Sequence, residues 1–134
     1  MKKLFIPLIV MVILLTGCNT AKLTDDFDEV EVKNAAAYAI SLMNERDYQG
    51  ISDLVRDDCQ ESLSADVLSG VCDEVLDKAG DFDSITKQTV VGGQNEDRDE
   101  DFAISVSTCK YAEMDISYTF VYDANMEIVG VYMQ

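Results

Sequence analysis

Apolar residues recur at helical spacing along the first half of the chain and at a period of two along the second. From Asp28 to Asp47 the positions Val32, Ala35, Ala36, Ala39, Ile40 and Met43 fall on one face, with neither Pro nor Gly between them. That spacing predicts a long helix. Tyr48 to Val55 reads as a short second helix, apolar at Ile51, Leu54 and Val55 and weakened at its start by Gly50. The third is the clearest. Between Ala65 and Ala79 the stripe is Val67, Leu68, Val71, Cys72, Val75, Leu76 and Ala79, with Ser64 as N-cap and Gly80 just past the end. Gly70 inside this helix costs up to ~1 kcal/mol against Ala, and a closely packed neighbour is one reason for a glycine there.

After Gly80 the alternation changes. Ile85 to Val91 reads as a strand. In the next, Phe102, Ile104 and Val106 alternate with Ala103, Ser105 and Ser107. In a third, Met114, Ile116, Tyr118, Phe120 and Tyr122 alternate with polar residues, and Ile128 to Met133 forms a fourth. The links Gly92–Asp101, Lys110–Glu113 and Asp123–Glu127 are short enough for antiparallel neighbours. The expected class is α+β, with three N-terminal helices packed on a curved four-stranded antiparallel sheet.

The extreme N-terminus follows neither pattern. Met1-Lys2-Lys3 is a positive start, and Leu4 to Leu15 is an apolar run of twelve residues. A spanning helix needs about 20, so the run fits the apolar core of a secretory signal. Leu15-Thr16-Gly17-Cys18 follows at once and resembles the lipobox of bacterial lipoproteins, in which the Cys thiol is diacylated and the chain is cut before it. The expected organisation is a signal peptide over 1–17, a lipidated Cys18 and polar tether over 18–30, and a single domain over 31–134. The expected location is the extracytoplasmic face of the cell membrane, held by a diacylglyceryl anchor.

Charge narrows the partners. The chain carries 26 Asp and Glu against 10 Lys and Arg, a net −16, and removal of Lys2 and Lys3 with the leader takes this to −18. No wide basic surface is available, which argues against nucleic acid. With no His there is no Ser-His or Cys-His nucleophile pair and no His-ligated zinc. Asp97-x-Asp99-x-Asp101 has the alternation of a Ca²⁺ loop. But Phe102 stands where that loop needs Gly and Thr108 where it needs a bidentate Glu, so a solvated hairpin tip is the better reading. Asp123-x-Asn125-x-Glu127 reads as a turn, with Asn125 tolerating positive φ. No metal site and no cofactor are expected.

Four segments occur in a telling order: Arg46-Asp47-Tyr48-Gln49-Gly50-Ile51, Leu63-Ser64-Ala65-Asp66-Val67-Leu68, Gly80-Asp81-Phe82-Asp83-Ser84-Ile85, and Tyr122 through Tyr132. The series resembles a small secreted bacterial family catalogued as domain of unknown function 3887, over about Asn34 to Gln134. The resemblance implies a nuclear-transport-factor-2-like cone and no particular activity. In that family a Met-like and a Trp-like position correspond to Cys59 and Cys72 here. The resemblance therefore implies that these two cysteines are in contact, and the oxidising envelope favours a Cys59–Cys72 disulfide. A Cys72–Cys109 pairing is the main competitor, and two reduced core thiols are the plain alternative. Cys109 is expected to face away from Cys72, on the polar side of its strand with Ser105 and Ser107.

Cones of this kind can run acid–base chemistry in the space between sheet and helices. Tyr38, Tyr111, Tyr118, Tyr122 and Tyr132 are available, but no pair of carboxylates has a spacing that demands catalysis. The preferred reading is a lipid-anchored binding or interaction module without catalytic activity and with no catalytic residue assigned. The partner classes are a small apolar ligand, a peptide, a protein or a second protomer. The alternative is a small isomerase- or hydrolase-like cavity enzyme using Asp and Tyr.

Overall fold

The computed structural model describes residues 18–95 and 99–134. Residues 1–17, the expected signal peptide, and residues 96–98 lie outside them. The elements are β1 (Cys18–Ala21), α1 (Glu29–Asn44), α2 (Tyr48–Asp53), a 3₁₀ turn (Asp57–Cys59), α3 (Ala65–Ala79), β2 (Phe82–Asn95), β3 (Glu100–Tyr111), β4 (Asp115–Tyr122) and β5 (Ile128–Met133). The sheet is antiparallel throughout, in the order β1-β2-β3-β4-β5. The expected meander is thus present as β2 to β5.

The sheet has five strands, however, and the helices follow the first of them. Part of the expected tether is the edge strand β1, in which Cys18 to Ala21 pair with Asn95 to Gly92. Downstream of it Leu23 packs against the core and Phe27 is buried. The segment looked like a linker because four residues are too few to show an alternation.

Side-chain caps begin all three α-helices. Asp28 Oδ1 accepts from the amides of Val30 (2.8 Å) and Glu31 (3.1 Å), Asp47 Oδ1 from Gly50, and Ser64 Oγ from Val67. At the end of α3, Gly80 takes φ +80, where a side chain would be strained. The buried face of α3 is narrower than its apolar stripe. Leu68, Cys72, Leu76 and Ala79 are buried, Val71 and Val75 are partly so, and Val67 is 39% exposed. Nothing lies within 4 Å of a Cβ built on Gly70, so no close-packed neighbour requires that glycine. Gly70→Ala is therefore expected to raise stability by about 0.5–1 kcal/mol, the helix-propensity difference. Urea denaturation of the two proteins checks it, and a loss of stability would mean that the site is crowded.

The hairpin β2–β3 is longer than the alternation suggests. Gly92 and Gly93 are not in a link but in mid-strand, where β1 pairs. A Cβ at Gly93 would come within 2.7 Å of Ile104 Cδ1, so that side-chain tip would have to shift to admit one. Phe102 of the expected face is buried and Ile104 partly so, but from Ala103 onward strand β3 turns mainly the opposite face inward. Ala103, Ser105, Ser107, Cys109 and Tyr111 are buried, whereas Val106 is 37% exposed. The hydroxyls survive burial because they are bonded: Ser105 Oγ donates to Phe120 O (3.2 Å), and Ser107 Oγ accepts from Gln88 Nε2, which also donates to Lys33 O on α1. Cys109 consequently faces the core. In the β4–β5 turn, Asp123 Oδ1 accepts from the amides of Asn125 and Glu127, and positive φ falls on Met126 (+61) rather than on Asn125.

Cys72 and Cys109 carry free thiols. Neither the Cys59–Cys72 bridge implied by the resemblance nor its Cys72–Cys109 competitor is formed. Cys59 Sγ lies 3.5 Å from Asp58 Oδ1, which accepts from it. Cys72 lies instead by Tyr48 and Tyr118, whose ionisation its own charge would oppose.

Arg56 closes the other end of the domain. Its backbone amide donates to Ile128 O, and its fork reaches Asp58 (2.8 and 3.3 Å), Glu100 (2.6 Å) and the buried Asp123 (3.3 Å). Three segments distant in sequence are thereby held by one guanidinium.

Candidate functional site

At the opposite end, the C-termini of α1 and α3 meet the start of β2 and the end of β3. A half-open cleft lies between them. One lobe, of about 330 Å³, has walls from Ala37, Ile40, Phe82 and Ile85. A second, of about 160 Å³, is bounded by Arg46, Gly80, Asp81 and Tyr111. Asn44 and Phe82 line both, so the lobes adjoin at these two residues. The Phe82 ring stands edge-on to Tyr111 with centroids 5.5 Å apart.

Behind the cleft lies a chain of neutral hydroxyls. Tyr118 on β4 is fully buried, with its oxygen 2.6 Å from that of Tyr111, and Tyr111 donates to Asn44 Oδ1. Burial raises the pKa of both phenols. For Tyr118 the bond to Tyr111 adds to that rise; for Tyr111 the bond with Tyr118 opposes it. Beside the cleft, Asp73 collects Tyr48 Oη (2.6 Å), Ser69 Oγ (2.8 Å) and Arg46 Nη1 (3.1 Å), while Arg46 Nη2 holds Asp77 (2.9 Å). The bond from Tyr48, then those from Ser69 and Arg46, keep the Asp73 carboxyl below the usual range. Tyr48 is pushed up by burial and by this same bond. Burial lowers the Arg46 pKa, but its bonds to Asp77 and Asp73 outweigh that and hold it above the ordinary value. Burial pushes the thiols of Cys72 and Cys109 up to about 11, which leaves them protonated and inert at neutral pH.

The arrangement offers hydrogen bonds and apolar walls. An ionised Asp73 cannot donate a proton, and phenols held neutral do not serve as bases. Of the five tyrosines noted in the sequence, only Tyr111 and Tyr118 come together. Tyr38 is 57% exposed on α1, Tyr132 is half-buried on β5, and Tyr122 is buried with no partner for its hydroxyl among the described residues. Asn44, Arg46, Tyr48 and Asp73 were missed as site residues, and no spacing in the sequence links them. The only signal was the Arg46-Asp47-Tyr48 segment, read there as a family mark. Among the described residues no group of three Cys, Asp or Glu is placed to hold a metal, and no helix is long and apolar enough to cross a membrane. The Asp97–Asp101 loop lies partly outside the described residues.

The buried phenols set the response to pH. Cys72 and Cys109, with Tyr48, Tyr111, Tyr118 and Tyr122, all have raised pKa values in the fold. Their contribution to stability is complete below the values of the unfolded chain. It is lost as pH rises, because the unfolded chain then releases protons that the folded one keeps. Without His, stability is expected to be flat between about pH 6 and 8 and to fall from about pH 9 upward. Urea midpoints across that range test this, and a midpoint that stays level to about pH 11 would place these groups in solvent.

Helices on one side of a five-stranded antiparallel sheet, with a half-open cleft at one end, define a small α+β domain with a ligand-sized recess. The chain belongs to the family described as a protein of unknown function, DUF3887, whose model matches residues 36–131. Its fold is similar to that in the NMR structure of a protein from Ruminococcus gnavus ATCC 29149. The two share 24% identity at a TM-score of 0.74, over 85% of this chain and 97% of that one. No curated protein matches the chain.

Proposed function

We propose that this protein is a lipid-anchored binding module on the extracytoplasmic face of the cell membrane, and that its fold is a nuclear-transport-factor-2-like cone. The observation that carries the binding role is the cleft at Asn44 and Phe82, with an apolar wall on one side and neutral, hydrogen-bonded phenols behind it. Ligand sites have this composition, a mainly apolar lining with a few placed polar groups. Supporting the cone are the register shifts in β2 between Phe82 and Ser84 and between Ile85 and Lys87, since bulges of this kind bend a strand and increase its twist. The leader and Cys18 support the anchor. A cavity enzyme has less support. Its acid would be a carboxyl raised by burial opposite a Tyr, whereas the carboxylate bonded to Tyr48 is Asp73, whose pKa is lowered. Native mass spectrometry of the protein taken from its host's membrane tests the reading. A bound small molecule released on unfolding is expected; a protein that carries none and captures none from host extract would overturn it.

A further inference from the structure

The direction of the hydroxyl chain fixes what the cleft presents. Tyr118 is 0% exposed, and among the described residues its hydroxyl has one partner, Tyr111. Each phenol has a single proton to give. The Tyr111 proton goes to Asn44 Oδ1, so the Tyr118 proton goes to Tyr111. The reverse order would leave the buried Tyr118 hydroxyl with no acceptor, which folded interiors avoid. The Asn44 amide is therefore held with its oxygen inward. Because the amide is planar, its Nδ2 protons point away from Tyr111, and no described side chain or carbonyl accepts them. Asn44 is half-buried at the junction of the two lobes, so this is a fixed pair of donors on the cleft wall.

The surroundings select the acceptor. Arg46, the cation at this end of the cleft, is committed to Asp73 and Asp77 through both Nη atoms. Asp81 adds a carboxylate on the far side, and the whole chain is strongly acidic. An anion would find no available counter-charge and a repulsive field. An uncharged carbonyl oxygen meets the donors without that penalty. The adjoining wall of Ala37, Ile40, Phe82 and Ile85 offers apolar surface to whatever the carbonyl is attached to.

We infer that the cleft takes an uncharged apolar molecule bearing an amide or ester carbonyl, with the carbonyl oxygen on Asn44 Nδ2 and the chain or ring along the Phe82–Ile85 wall. This rests on the binding-module reading and names the ligand class of the same site. The probe is octanamide, with octanoate and octyltrimethylammonium as anionic and cationic counterparts. Each is titrated into ¹⁵N-labelled Cys18–Gln134 without acylation, a chain that holds every described element. Octanamide is expected to give saturable shifts at the Asn44 side-chain amide and at the backbone amides of Phe82 and Ile85, and to bind at least tenfold more tightly than octanoate. Asn44→Asp keeps an oxygen acceptor for Tyr111 and removes the donors, and is expected to weaken octanamide at least tenfold. Phe82→Ala, at a position already 39% exposed and so safe for folding, is expected to weaken it at least fivefold. Octanoate binding as tightly as octanamide, unchanged affinity in both variants, or no saturable shift with octanamide would each overturn the inference. The binding-module reading fails separately, when protein from the host membrane carries and captures nothing.

Discussion

Phe120→Ala is expected to lower the free energy of unfolding by about 3–5 kcal/mol, the cost of emptying a large aromatic site in a closed core. Phe120 has no exposed surface, lies opposite Ser105 on β3 and Val131 on β5, and stacks on Tyr118 with centroids 6.0 Å apart and planes 10° from parallel. Domains of this size are stable by about 5–15 kcal/mol, so the variant should approach the limit of folding at ambient temperature. Val106→Ala is the matched control, expected to change stability by less than about 0.5 kcal/mol because Val106 points outward. Urea denaturation of both reads the faces of β3 and β4 together. A costly Val106→Ala with a cheap Phe120→Ala would show that the sheet presents its other side to the helices.

Cys18→Ala is expected to abolish acyl labelling and release the protein from the membrane. A thioether needs the sulfur, and two acyl chains hold a protein with about 0.8 kcal/mol for each buried CH₂. The body offers no substitute, since its negative charge is repelled by an anionic leaflet. Cells fed an alkyne fatty acid give the readout. Equal labelling of wild type and variant would remove Cys18 as the anchor.

The sequence carried the elements better than their faces. Helix α3 was legible to the residue because Ser64 and Gly80 bound an unbroken apolar stripe, and caps are local chemistry. Strand β3 misled beyond Phe102, which is buried as its alternation suggests, because both sets were plausible there: Ile104 and Val106 looked like the core, and two serines looked like the surface. Which set faces inward was decided by partners far away in sequence, Gln88 for Ser107 and Phe120 O for Ser105. The cleft was hidden for the same reason. Asn44, Arg46, Asp73 and Tyr111 meet only once three helices and a sheet have closed, and none of them stands at a spacing that anticipates it. The two glycines at 92 and 93 read as a loop because a close approach such as that of Ile104 to Gly93 has no signature in one dimension.

The pairing of Cys18 with Asn95 has a consequence for reach. β2 runs fourteen residues from Phe82, at the cleft, to Asn95, beside the proposed anchor. At about 3.3 Å per residue those ends lie on the order of 40 Å apart. An acyl group on Cys18 would join the sheet with no slack, so the strand would act as a fixed riser, its Asn95 end down and its Phe82 end up. The opening at Asn44 would then stand well clear of the headgroups and face the surroundings of the cell. Molecules would reach it by diffusing inward from the medium, and lipid lying in the bilayer beneath would be out of range.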